Sequence, residues 1–370
     1  MKIVILKENL KKGLHSIERS VTENANLPIL KNILIKTFNN KIQLSGTNLE
    51  LAVTSYISGK IVEEGSITIP LAAFSTITNN IDNEKISLET KENNVLLFKT
   101  DNYEAAIQGL PEEEFPIIPK IENIKNYLQI EFSLLKEALL KVVNAAQPSE
   151  IRPEIGGVLL DFQVTTFKLV ATDTFRLAEK TILESNFQTT FNKGFKVIIP
   201  LKTVHEVLRI INDGTMNIFI DPNQILFKTE EIEIISRLID GVYPDYEQII
   251  PKSSETNTVI DREHAINAVK LVSVFCGRVN DIKIHTHDHK KSLEIYSANQ
   301  YLGENKYLIP AKIDGSSFEV SFNWRYLMDG LKNFNDKEIH FVINGDVKPA
   351  MLKSSTDTSY FYILMPIKNS

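Results

Sequence analysis

The sequence predicts an α+β protein of three similar domains, each made of sheets plus two amphipathic helices. Three observations carry that expectation. The order strand, helix, strands, helix, strands occurs three times along 370 residues. Related segments begin at Gly46, Ala171 and Ser297, offsets of 125 and 126 residues. A composition of 43% hydrophobic and 24% charged residues supplies apolar material for several cores. Chain length agrees, because a typical single domain takes roughly 150 residues.

The first unit opens with a strand over 2–6 and a helix whose Leu10, Leu14, Ile17 and Val21 form one stripe. Strands around 33–37 and 41–44 follow, then a helix after Pro70 with Phe74, Ile77 and Ile81 inward, and a hairpin-like stretch from Lys85 to Leu110. The second unit begins with a strand at 128–132 and a helix whose Leu135, Ala138, Leu139, Val142, Val143 and Ala146 share a face. Its second helix, after Pro200, turns Val204, Val207, Leu208 and Ile211 inward. The third repeats the order: a strand near 258–260, a helix from about Arg262 to Phe275, strands from 282 to 296, a helix with Trp324, Leu327, Leu331 and Phe334 inward, and closing strands to Ile367. Prolines in Leu110–Pro116 and Val242–Tyr246 break strand pairing and mark exits between units. The domains expected are 1–125, 126–252 and 253–370.

A formal net charge of -6 argues against broad electrostatic coating of nucleic acid or an anionic membrane. Cys276 is the single cysteine, which excludes an intrachain disulfide and a cysteine metal cluster and fits a reducing cytoplasm. The amino terminus has an apolar run too short for a signal peptide, and no stretch approaches the ~20 residues of a membrane span. A soluble, cytoplasmic protein is expected.

The helix backs oppose the global charge. Lys12 with Arg19, Lys202 with Arg209, and Arg325 with Lys332 each lie seven residues apart, returning to almost the same helical face. Across the six helical segments there are 12 Lys or Arg against 9 Asp or Glu, so the helices total +3 and the remainder -9. Solvated faces account for many such residues. Three equivalent pairs point further, to phosphate contact without base reading.

Phosphate-cradling, dinucleotide and zinc-helix motifs are absent from the sequence. His285, His287 and His289 alternate along a strand and could share one face as metal ligands, but they stand at a polar hairpin tip without evident supporting partners. No catalytic residue, cofactor or metal is expected. A repetitive β-rich scaffold is the remaining alternative, and it leaves the basic pairs unexplained.

The chain resembles the bacterial sliding clamps, the beta subunits of DNA polymerase III. The resemblance spans the whole length and rests on Leu27–Ile33, Leu110–Pro116, Gly157–Leu160, Ala171–Ala178, Gly241–Tyr246 and Tyr362–Ile367 in their order and spacing. It implies a DNA-clamp fold, a ring-shaped head-to-tail homodimer around duplex DNA, and a role as a non-catalytic processivity factor. By the same resemblance, a cleft between the second and third domains takes peptides from the polymerase III alpha subunit, the clamp loader, repair polymerases and other proteins with a clamp-binding motif.

Carried over by position, that cleft comprises Ile155, Thr172, Thr174, Phe175, Leu177, Pro244, Gln248, Ile249, Ile363, Leu364, Met365, Pro366 and Ile367, with Arg176 at its rim. The DNA-facing set is Lys12, Arg19, Arg152, Lys202, Arg209, Arg325 and Lys332. Tyr103, Ala105 and Ile107 of one copy are expected to meet Leu271, Val272 and Phe275 of the other. The chain departs from the family pattern at Thr174 and Phe175, where Gly-His is frequent, and at Gln248, where a basic residue is frequent. It departs also at Asn24, Ala72, Pro153 and Glu154, which are basic or aromatic at DNA-contacting positions of a well-described member, and it ends in Lys368-Asn-Ser.

Overall fold

A computed structural model describes residues 1–21, 27–287 and 291–368; Asn24, His289 and the last two residues lie outside it. The helices stand where the apolar spacing puts them. They are α1 (Lys7–Ile17), α2 (Leu71–Asn80), α3 (Phe132–Val143), α4 (Leu201–Ile210), α5 (Arg262–Val272) and α6 (Trp324–Lys332). Each directly follows a short strand. Two have a side-chain cap: Asp261 accepts from the His264 amide at the start of α5, and Asn323 from that of Arg325 at the start of α6. Two ends differ from expectation. Arg19 lies beyond α1, in the 3-10 turn Glu18–Ser20, and α5 passes at Ser273 into a second such turn.

The chain forms two compact units. The first comprises 1–134, 187–192 and 202–238. It holds a five-stranded sheet in the order Gly59–Glu63, Lys2–Leu6, Lys85–Lys91, Val95–Lys99, Glu104–Gln108. It also holds a nine-stranded sheet in the order Phe187–Thr189, Leu128–Glu131, Thr215–Asp221, Gln224–Lys228, Ile232–Arg237, Leu51–Ile57, Lys41–Thr47, Asn32–Phe38, Ser66–Pro70. Strands from the first and second sequence repeats meet there, Leu51–Ile57 lying antiparallel to Ile232–Arg237.

The helix stripe of α1 is buried at Leu10, Leu14 and Ile17. Gly13 completes that face: a Cβ there would stand 2.8 Å from both the Ile57 Cγ2 and the Leu44 Cδ1, so only glycine lets α1 approach the sheet this closely. A side chain at this position requires the Ile57 and Leu44 side chains to shift, an overpacking cost of about 1–3 kcal/mol.

The second unit comprises 135–186, 193–201 and 239–370. Its twelve-stranded sheet runs Phe195–Pro200, Gly157–Phe162, Thr166–Thr172, Arg176–Leu183, Tyr360–Leu364, Ala350–Lys353, Glu338–Ile343, Thr256–Asp261, Gly303–Gly315, Ser292–Asn299, Asp281–His287, Glu319–Asn323. Here Arg176–Leu183 pairs with Tyr360–Leu364, joining the second repeat to the third. Leu159, Val170, Leu177, Ile198, Tyr243, Tyr246, Val342, Met351 and Ile363 pack as one buried cluster. At α6, Gly330 admits the Tyr362 ring, which a Cβ would meet at 2.6 Å. No helix among the described residues is long and apolar enough to cross a membrane.

Candidate functional site

The helix backs divide into exposed cations and one that is not. Lys12, Arg19, Lys202, Arg325 and Lys332 are exposed, and Arg152 is exposed on the turn before Pro153. Lys12 nonetheless reaches Glu231 at 2.6 Å, and the Arg152 Nε donates to Glu154 at 3.1 Å. Arg209 corrects the sequence expectation. Its side chain is 13% exposed, donates to both the His15 and Ser16 carbonyls, and is held by Glu206 at 2.7 Å. A guanidinium committed to two backbone carbonyls and a buried carboxylate braces α4 against α1 and is not available to phosphate. The seven-residue spacing could not reveal this, because its partners lie some 190 positions away in sequence.

Of the expected cleft residues, Phe175, Arg176 and Leu177 meet Ile363, Leu364 and Met365 where Arg176–Leu183 pairs with Tyr360–Leu364, Arg176 standing opposite Leu364 and Leu177 opposite Ile363. A tight turn leads into the first strand. The Thr172 hydroxyl donates to the Arg176 carbonyl at 2.6 Å, and the Asp173 Oδ1 accepts from the Phe175 and Arg176 amides at 3.0 Å each. Thr174 takes the left-handed conformation at φ 76°, which turns Phe175 outward, 59% exposed. The Phe175 carbonyl accepts the Met365 amide at 2.8 Å, so the turn and the end of the last strand form one ledge. Met365, Pro366 and Ile367 are half-buried, as is Pro244, while Gln248 and Ile249 are exposed. By contrast Ile155, Thr172, Leu177, Ile363 and Leu364 are buried.

Arg176 is a second correction. Instead of standing at the rim it is 8% exposed, with Nε on Asp173 at 2.9 Å, Nη1 on Asp329 at 2.6 Å, and the guanidinium 4.2 Å from the centre of the Tyr326 ring. Burial works against its charge, but the neighbouring Tyr362, Asp329 and Asp173 outweigh that and hold its pKa above the ordinary arginine value. Asp329 and Tyr326 belong to α6 and were invisible to spacing arguments. Burial likewise pushes the Tyr243, Tyr246 and Tyr362 phenols up, so these rings stay neutral. His285 stands 3.6 Å from Glu294, and among the described residues no group of three donors could hold a metal ion. Cys276 donates to the Asp281 carbonyl, and burial raises its thiol pKa.

A third feature emerges only in the folded chain. Single bridges Thr68–Leu110, Ile198–Ile239 and Ser321–Ile367 occupy the same place in the three repeats and fix which residues correspond. Leu51–Ile57 and Arg176–Leu183 each have a strand on both sides: Leu51 faces Ser236 and Ala52 faces Ile235, as Arg176 faces Leu364 and Leu177 faces Ile363. The corresponding stretch of the third repeat, 303–310, pairs only with Ser292–Asn299 among the described residues, and Glu304, Lys306 and Leu308 are exposed along it. Glu104–Gln108, the counterpart of Ile232–Arg237, is likewise an edge strand. Its Tyr103 neighbour, Glu104 and Ala106 are exposed, Ala105 is half-buried, and Ile107 is buried within its own fold. On the α5 side Leu271 is exposed and Phe275 half-buried, whereas Val272 is fully buried. The Ile107 and Val272 side chains are turned into their own fold.

Comparison with known proteins places this architecture. Family models of the DNA polymerase III beta subunit match in succession: the N-terminal domain over 1–119, the central domain over 129–245 and the C-terminal domain over 247–368. The chain is 26% identical to the beta sliding clamp of Bacillus subtilis, with all of both chains covered, and 28% identical to that of Staphylococcus aureus, covering all of this chain and 99% of the other. Among solved structures, the DNA polymerase sliding clamp from Bacillus subtilis aligns over both full chains with a TM-score of 0.94 at 26% identity. The sliding clamp of Pseudomonas aeruginosa bound to griselimycin aligns equally fully, at 0.93 and 25%. With its three parts matched in order and its whole length shared in sequence and fold, the chain belongs to the DNA polymerase III beta subunit family, the beta sliding clamps.

Proposed function

We propose that this protein is a DNA polymerase processivity factor: a head-to-tail homodimer that closes around duplex DNA without reading sequence and tethers the replicative polymerase and other partners through the Phe175–Met365 ledge. It has no catalytic site of its own; its output is topological retention.

One observation carries the reading. Among the edges left open in the described residues, 303–310 and Glu104–Gln108 correspond to the two halves of a junction that the chain makes twice internally. Applying the internal register, Gly303 of one copy faces Ile107 of the other, Glu304 faces Ala106, Asn305 faces Ala105, and Lys306 faces Glu104. A lysine then meets a glutamate, and Glu304, Lys306 and Leu308 lose the exposure that the corresponding Ala52, Thr54 and Tyr56 lack. Two such heterologous seams close a ring and remove open edges that otherwise invite uncontrolled pairing. The dimer contact therefore centres on the 303–308 edge, with Leu271 and Phe275 beside it.

Five exposed cations, Lys12, Arg19, Lys202, Arg325 and Lys332, together with Arg152, supply phosphate attraction that permits sliding. Domains 1–125, 126–252 and 253–370 remain the natural divisions of this reading. Cysteines placed at Glu304 and Ala106 in a Cys276→Ser background test the seam, since directly opposed strand residues have Cα spacings within disulfide reach. A covalent dimer on oxidation is expected; a chain that stays monomeric under the same conditions contradicts the register.

A further inference from the structure

The ledge is poor in free positive charge. Arg176, the one cation inside it, spends Nε on Asp173 and Nη1 on Asp329, and its side chain is nearly enclosed. Asp173 neutralises it from beneath, and Asp329, about one-third exposed, adds a further negative charge. Gln248 contributes no charge and is tied to the Asp245 Oδ2 at 2.7 Å. Asp245 is exposed, and Glu247 beside it is shared with Lys168 at 3.8 Å. Asp173 and Asp329 thus hold the arginine, Asp245 and Glu247 stand on the turn that carries Gln248 and Ile249, and Lys368 follows the bridge residue Ile367.

We propose that the ledge selects peptides whose hydrophobic anchors are flanked by a basic residue, and that Asp329 of α6 is a positioning residue that enforces this by holding Arg176 inward. The inference deepens the partner-binding reading above and rests on it. An acidic residue beside the anchors meets Asp245 and Asp329 without a free guanidinium to receive it; a lysine or arginine gains both carboxylates. The apolar anchors meet Phe175, Ile249, Met365 and Pro366 in either case, so charge sets preference among ligands of similar hydrophobic content.

Three fluorescent peptides of one length and identical anchors, differing only in a flanking Lys, Gln or Glu, test this by anisotropy against the full-length protein. Affinity is expected to fall in that order, by about threefold at each step as for an exposed charge pair, with the spread shrinking at high salt. Asp245→Asn and Asp329→Asn should each reduce the Lys-to-Glu ratio, Asp329→Asn mainly by releasing Arg176 toward the acidic peptide. Asp329→Glu should restore the ratio, which a merely structural role does not predict. Because Asp245 is a surface residue, its variant keeps the test readable if α6 is disturbed. Equal binding of all three peptides, or a ratio indifferent to both asparagine variants, overturns the selectivity and leaves the ledge as a binding site. Binding of none of them overturns the ledge reading itself and this proposal with it.

Discussion

Reversing one charge at the seam gives a test whose size follows from the register. In the proposed register, Lys306→Glu sets a carboxylate opposite Glu104 of the partner copy, turning an attractive cross-strand pair into a repulsive one. Within its own chain Lys306 lies 3.8 Å from Glu294, and Glu104 is 2.9 Å from Lys99, so both side chains are extended along exposed strand surface. A directly opposed ion pair contributes roughly 0.2–1 kcal/mol, and a like-charge pair costs a similar amount. The reversal therefore changes each seam by about 1 kcal/mol. A ring has two seams, so the dimer should lose about 2 kcal/mol, near thirtyfold in its dissociation constant. Sedimentation equilibrium at low salt measures that shift, and rising ionic strength should diminish it.

The decisive arm is the exchange: Lys306→Glu combined with Glu104→Lys restores the opposed pair and should return the constant to within a few-fold of the parent. Loss of an intrachain contact cannot produce such a rescue, since the double variant breaks both Lys99–Glu104 and Glu294–Lys306 attractions. A double variant as weak as the sum of the singles refutes the register.

Other expectations follow from the corrected side chains. Replacing Lys12, Arg19, Lys202, Arg325 and Lys332 by alanine should weaken DNA binding equally across sequences and flatten its salt dependence. Arg209→Ala should leave the salt slope of DNA binding unchanged but lower stability by about 3 kcal/mol, because it strands the buried Glu206 carboxylate; denaturant titration and filter binding separate the two effects. Phe175→Ala with Met365→Ala should abolish partner-peptide binding by anisotropy without changing dimer mass, whereas removing Met365 to Ser370 also cuts the Ser321–Ile367 bridge and should destabilise the fold. At Asp357, burial opposes ionisation, but Ser359 and Lys180, the latter at 3.0 Å, prevail and hold the carboxyl below the ordinary aspartate range. A lowered pKa stabilises the fold above the unfolded-state value near 4 and loses that contribution as pH falls through the folded one; the melting-temperature deficit of Asp357→Asn should accordingly be present at neutral pH and shrink below about pH 4.

The fold was legible wherever one-dimensional spacing encodes it. Leu10, Leu14 and Ile17, or Val204 and Val207, announce a buried helical face because each helix meets a sheet along one stripe. Repeat spacing announced the threefold order because each repeat folds the same succession of strands and helices. Spacing failed where a side chain's partner is remote. Arg209 and Arg176 look like surface cations in sequence, yet the first serves His15 and Ser16 and the second Asp329, 153 residues away. Val272 and Ile107 look like interface hydrophobics, but α5 and the five-stranded sheet turn them inward. The proposed seam strand 303–308 escaped because its sequence, Gly-Glu-Asn-Lys-Tyr-Leu, carries no apolar alternation and reads as an ordinary exposed segment. Only the unpaired edge in the folded chain marks it, together with the signal that sequence did hold, the correspondence of the three repeats.

Retention on nicked circular DNA distinguishes topological linkage from ordinary electrostatic binding. Loaded protein should remain with the circle through gel filtration in high salt and be released when a single cut linearises the DNA. Equal retention before and after the cut, or equal loss from both, would contradict encirclement and leave ordinary electrostatic binding in its place.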